Sequence, residues 1–178
     1  RAMWVECAEM LDHFGWKWWK KQDGDLDQVK LELVDIWHFA LSELLRQGDV
    51  DASIAEAING IAPPSATTPE AQAEQFRLAI EALAASCLRT RSFELQPFLD
   101  AMAALPMAFE ELFALYIGKN MLNRFRQNNG YKTGEYRKLW SGREDNEHLI
   151  ELLEELDVSA AELPEALYAA LQNRYGTG

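Results

Sequence analysis

The sequence predicts an all-α protein, a bundle of helices joined by short connections. Three observations predict it. Apolar residues recur at helical spacing through most of the chain, and the alternation of a half-buried strand is nearly absent. Start and stop signals fall where that periodicity breaks, at Gly15, at Gly48 and at the Thr68-Pro69 step. Two segments, VECAEML and LELVDIWHF, are apolar nearly all round, which is the pattern of a buried helix. Each nevertheless carries two acids three residues apart.

Taken in order, the first helix runs from Ala2 to His13 and is ended by Gly15. The chain begins at Arg1 directly against this pattern, so a preceding segment is expected to be missing from it. A tryptophan-rich turn, WKWWKKQDGDLD, leads to a second helix from Asp27 to Arg46, with Gly48 beyond it. The stretch 49–68, polar and containing Pro63 and Pro64, reads as a loop or insertion. Thr68 then caps a third helix that starts at Pro69, the favoured first position, and runs to Leu88. A short helix is expected over Glu94 to Leu105. A long one is opened by Pro106 and reaches Gln127, before Asn128, Asn129 and Gly130. GYKTGEYRKLWSGRED, with three glycines, reads as irregular, and two further helices cover Glu147 to Leu156 and Pro164 to Tyr175.

At 178 residues the chain suits one domain, 1–178, with length enough for a hydrophobic core. Its 48% hydrophobic and 26% charged residues are ordinary for a globular protein. A net charge of -12 argues against a nucleic-acid binder, because neutralising phosphates needs a basic surface. No apolar run reaches the roughly 20 residues of a membrane span, and no signal peptide is visible. Cys7 and Cys87 sit in apolar helical patterns, where thiols act as small hydrophobes. With His13, His38 and His148 they make no zinc site of usual spacing. The chain therefore reads as a soluble protein of a reducing compartment, the cytoplasm.

Four carboxylates carry the chemistry. Glu6 with Glu9, and Glu32 with Asp35, each lie on one helical face. One such pair is weak evidence, since glutamate is a good helix former and pairs occur by chance on solvated faces. Two pairs on successive helices, each among large apolar residues, ask for a compensating charge. A divalent metal fits best, Mg²⁺ in particular, a hard cation that takes oxygen ligands and is shared with substrate phosphates. The competing reading is satisfaction by lysines or arginines from other helices.

Lys119, Asn123 and Arg126 step by four and three residues along YIGKNMLNRFRQNNGYK, so they share a face. A cation, an amide and a guanidinium in a line suit phosphate oxygens. Lys132 and Arg137 follow in the glycine-rich segment, whose backbone could fold over an anion. Taken alone, this reads more plainly as a solvated basic face; beside four carboxylates it describes a site for a metal–polyphosphate complex. Trp16, Trp18 and Trp19 follow the first acidic pair, and Trp37, His38 and Phe39 follow the second. Aromatics this dense are usually core, but one beside a phosphate site can stack on a base; Trp18 and Phe39 are the candidates. His38 reads either as a base contact or as a core histidine bonded to a backbone carbonyl. No side chain is set up as a nucleophile, because Ser42 and Ser141 lack an evident base and neither cysteine has an electropositive setting.

Three blocks, ECAEMLDHFGWKWWK, VKLELVDIWHF and YIGKNMLNRFRQNNGYKTGEYRKLWSGREDN, closely resemble the dimeric all-α deoxyuridine triphosphate nucleotidohydrolases. These belong to the wider all-α nucleoside triphosphate pyrophosphatases, whose signature is ExxE followed after a gap by ExxD. Here Glu9 and Glu32 are separated by 22 residues. The stretch between Gly48 and Leu105, and everything after Asn146, lies outside the resemblance.

The resemblance implies a helical bundle of that type and hydrolysis of dUTP, and of dUDP, to dUMP, with pyrophosphate leaving from dUTP. It implies Mg²⁺ as cofactor and a homodimer. Glu6, Glu9, Glu32 and Asp35 match the metal ligands, and Lys119, Asn123, Arg126, Tyr131 and Lys132 match the phosphate-binding block. Trp18, His38 and Phe39 are the expected base contacts. In the family, a carboxylate of the first pair deprotonates the attacking water, and Glu6 is assigned that role ahead of Glu9. Members also carry a helix before the first acidic pair that helps read uracil, which this chain starts too late to contain. Two alternatives stay open, a related pyrophosphatase acting on dCTP or a modified nucleotide, and a nucleotide-binding dimeric scaffold without catalysis.

Overall fold

In a computed structural model of the protein, residues 1–48, 50–61, 68–105 and 107–176 are described. Among them the architecture is all-α, with eight helices and one two-stranded hairpin. The chain divides into two compact units, Arg1–Leu112 and Phe113–Gly178.

The first unit is arranged around α2 (Leu26–Gln47). Asp25 caps its start by accepting a hydrogen bond from the Gln28 N–H at 3.1 Å, and Gly48 ends it. Val29, Leu31, Leu33, Val34, Ile36 and Ala40 are fully buried, so between Gln28 and Trp37 this helix is enclosed on nearly every side, as its sequence predicts. Trp37 stacks on Phe98 with ring centroids 5.1 Å apart. Packed against α2 is α1 (Ala2–Phe14), which also contacts α4 (Pro69–Thr90). Thr68 caps α4 through its hydroxyl, which accepts from the Ala71 N–H at 3.2 Å, with Pro69 in the first turn. α5 (Leu95–Ala104) packs on α4.

One sequence expectation needs correcting in this unit. The stretch 49–68 is not wholly a loop, because it contains α3 (Ala52–Asn59), capped by Asp51 accepting from the Ser53 N–H at 2.7 Å. Ile54 and Ile58 stand one turn apart there, and Ile58 is buried. Asp49, Pro63 and Pro64 lie outside the described residues, as does Pro106, expected to open the long helix. That helix, α6, spans Phe109–Asn128.

The second unit holds most of α6, a 3-10 turn at Tyr131–Thr133, strands β1 (Leu139–Trp140) and β2 (Arg143–Glu144), α7 (Asp145–Glu155) and α8 (Leu163–Gly176). The strands pair antiparallel, Leu139 opposite Glu144 and Trp140 opposite Arg143. The end of the segment expected to be irregular, Leu139 to Glu144, is therefore a hairpin, turned by Ser141 and Gly142, both at positive φ. Phe125, Trp140, Leu149, Leu167 and Leu171 form the core of this unit. Gly118 lets α6 approach α7 closely, since a Cβ there would sit 2.9 Å from a methyl of Leu153.

Candidate active site

The helix pair α1–α2 brings three of the four predicted acids together. Carboxylate oxygens of Glu6, Glu9 and Glu32 lie within 4.8 Å of one another. Their environments differ more than the sequence suggests. Glu32, in the middle of the buried α2, is 6% exposed, Glu6 is half-buried, and Glu9 faces solvent. Trp4 and Val5 are also exposed, so α1 is buried along the Cys7–Met10 stripe and not all round. Of the four acids expected to point inward, Glu32 is buried, Glu6 and Asp35 are half-buried, and Glu9 fails the expectation. Asp35 stands outside the close triad, half-buried, but its charge reaches Glu6.

Electrostatics make Glu6 the strained member. Burial, then the charges of Glu32 and Glu9 and a hydrogen bond with Glu32, push its pKa from the ordinary 4.5 up to about 8. An acid that keeps its proton near neutrality, among other carboxylates, is a group short of positive charge. A hard divalent cation fits this donor set, which is all oxygen and close enough to be shared. His13, one helical step beyond Glu6 and Glu9 on the same face of α1, places Nε2 3.7 Å from a Glu32 oxygen. The sequence reading passed over this neighbour, although the i, i+3, i+7 spacing of Glu6, Glu9 and His13 contains the signal.

Cys7, between the two α1 acids, and Cys87 are free and buried. Burial pushes the Cys7 thiol up to about 12, so it acts as packing and not as a nucleophile.

The predicted aromatic contacts split. Trp37 is core. Trp18 is 90% exposed and meets Trp19 edge-on at 5.7 Å, and Trp19 meets Trp16 in the same way at 5.3 Å. The tryptophan cluster is therefore a surface feature, against the general expectation for dense aromatics. Phe39 is exposed and His38 half-buried.

In the second unit, Lys119, Asn123 and Arg126 share one face of α6 as their spacing requires. Lys119 is only 2% exposed, and its Nζ donates to Asn146 Oδ1 at 3.4 Å. Arg126 grips Asp145 bidentately, Nε to Oδ2 at 2.8 Å and NH2 to Oδ1 at 2.7 Å. This face is thus not the solvated basic surface that was the plainer reading. Tyr131 and Lys132 are exposed on the 3-10 turn. The glycine-rich backbone around them closes on itself, the N–H groups of Thr133 and Glu135 donating to the Gly130 carbonyl at 3.1 and 3.0 Å. Sequence reasoning missed Tyr136, Asp145 and Asn146, which gather the α6 cations.

The class of the protein is thus an all-α bundle that carries three helix-borne carboxylates close enough to share a divalent cation. A family model described as dUTPase matches residues 1–131, and the chain belongs to this all-α dUTPase family. The match takes in α3–α5, which the resembling sequence blocks left out, and stops at Tyr131. The activity is that of a dUTP diphosphatase, a hydrolase of nucleotide metabolism, in a family generally dependent on divalent metal. No curated protein matches the chain. No described helix is long and apolar enough to cross a membrane.

Proposed function

We propose that the chain hydrolyses dUTP, and dUDP, to dUMP with Mg²⁺ as cofactor, pyrophosphate leaving from dUTP. The observation that carries the metal is the Glu6–Glu9–Glu32 cluster. Glu6, Glu9 and Glu32, with Asp35 completing the set, hold the cation. When bound it supplies Lewis-acid polarisation of phosphate oxygens and a lowered pKa for a coordinated water.

Glu6, ahead of Glu9, would take the proton of the attacking water as a carboxylate. Glu32, held rigid within α2, fixes the geometry. Lys119, Asn123, Arg126, Tyr131 and Lys132 bind phosphate and hold the charge that develops on it. Trp18, His38 and Phe39 contact the base; the exposure of Trp18 and Phe39 leaves their faces available for stacking. The active form is a homodimer, to be checked by light scattering on the purified protein.

Purified protein with Mg²⁺ and a panel of deoxynucleotides tests the reading. dUTP is expected to turn over far faster than dCTP, and Glu32→Ala is expected to lose at least about 100-fold in kcat. Comparable turnover of dCTP and dUTP would favour the broader pyrophosphatase reading. Full activity in Glu32→Ala would remove the metal assignment.

A further inference from the structure

Asp145 and Asn146 open α7, and this dipeptide gathers the polar side chains of the α6 face. Asp145 is 0% exposed, and a carboxylate so buried requires strong partners. It has Arg126 on both oxygens, and the Tyr136 hydroxyl donates to Oδ2 at 2.8 Å. Its backbone is tied as well, its N–H donating to the Lys138 carbonyl at 3.0 Å beside the hairpin. The carboxylate therefore has no room to turn away.

A guanidinium presents two donor edges in a rigid plane. Asp145 takes the Nε/NH2 edge of Arg126. The NH1/NH2 edge meets two amide oxygens, Asn123 Oδ1 at 3.1 Å and Asn146 Oδ1 at 3.3 Å. Lys119 Nζ reaches the same Asn146 oxygen at 3.4 Å. The two edges differ in what can leave them. An amide that rotates by half a turn presents its NH2 group where its oxygen stood; a bonded, buried carboxylate has no such alternative. One edge is held by a charged, doubly bonded carboxylate and the other only by neutral amide oxygens.

We propose that Asp145 is a positioning residue: it holds Arg126 by one edge so that the other, flanked by Asn123, Asn146 and Lys119, is presented to a phosphate group of the substrate. Tyr136 assists by holding the carboxylate in plane. This rests on the reading that the α6 cations bind phosphate. Tyr136, Asp145 and Asn146 sit beyond the match to the family, which ends at Tyr131.

The test is a double-mutant cycle on the full chain with Asp145→Asn, Arg126→Ala and both together. KM and kcat for dUTP and competitive inhibition by pyrophosphate are measured, with circular dichroism to confirm folding. Asp145→Asn is expected to raise KM and weaken pyrophosphate inhibition about 10-fold or more, as for loss of a charge-assisted pair. On the Arg126→Ala background it is expected to add nothing, because its effect runs through Arg126. A purely structural role would lower activity by the same factor on both backgrounds, and that result overturns the proposal. If Arg126→Ala raises KM while folded Asp145→Asn does not, positioning alone is refuted. If Arg126→Ala leaves KM and inhibition unchanged, the phosphate reading falls and positioning falls with it. Should Asp145→Asn fail to fold, Tyr136→Phe replaces it in the cycle. It is expected to raise KM about threefold on the wild-type background and not on Arg126→Ala; an unchanged KM would overturn the proposal.

Discussion

The two polar centres of this protein solve opposite electrostatic problems. In the first unit, carboxylates are pressed together within 4.8 Å, and the most strained of them holds a proton up to about pH 8. In the second, a buried carboxylate is matched by an arginine and a tyrosine through hydrogen bonds of 2.7 to 2.8 Å. One centre is short of a cation, and the other has its counter-charge built in. The difference teaches what each is for. Like charges gathered without a counter-charge mark a place that a cation would relieve, whereas a paired buried charge fixes side-chain geometry.

The sharpest way to break this contrast is to remove the counter-charge where it is built in. Asp145→Ala leaves Arg126 inside the unit without its carboxylate, and it is expected to destabilise by about 3–5 kcal/mol in urea unfolding. A loss below about 1 kcal/mol would mean that water replaces the pair freely.

The next effect concerns the first centre and pH. Glu6 titrates at 4.5 when unfolded and near 8 when folded. The folded state therefore binds the extra proton between those values, and its stability falls as pH rises through that window. In chelator, the melting temperature is expected to decline from about pH 5 to pH 8, and Glu6→Gln is expected to flatten that slope. Mg²⁺ added at pH 7 is expected to displace the proton, visible as a buffer-dependent heat in titration calorimetry. A melting temperature that rises with pH across this window in chelator would contradict the assignment.

The smallest expected effect lies at the surface. Trp18→Ala removes a side chain that is 90% exposed and should change stability by no more than about 0.5 kcal/mol. Against that silence in stability, a raised KM for dUTP would mark the residue as a base contact.

Much of the frame was legible in the sequence. Gly15, Gly48 and the Thr68-Pro69 start fall at helix ends in the structure, because caps and stops are read from a few adjacent residues. The apolar character of α2 announced its burial, and Glu32 within it follows. α3 was missed among polar residues despite the Asp51 cap and the Ile54–Ile58 spacing. Its eight residues present too little periodicity to stand out. The hairpin at Leu139–Glu144 was missed because two residues per strand give no alternation to detect.

The sequence by itself determined which residues share a face: Glu6 with Glu9, Glu32 with Asp35, and Lys119 with Asn123 and Arg126. Those relations are set by the helical repeat within one turn or two, and no distant contact alters them. The tertiary structure alone decided which carboxylates are buried and which cation has a partner. Glu9 stays in solvent while Glu32 does not, because α1 buries one stripe and α2 nearly its whole surface between Gln28 and Trp37. Arg126 finds Asp145 across 19 positions of sequence. Such a pairing depends on how α6, the hairpin and α7 pack, and no local periodicity encodes it.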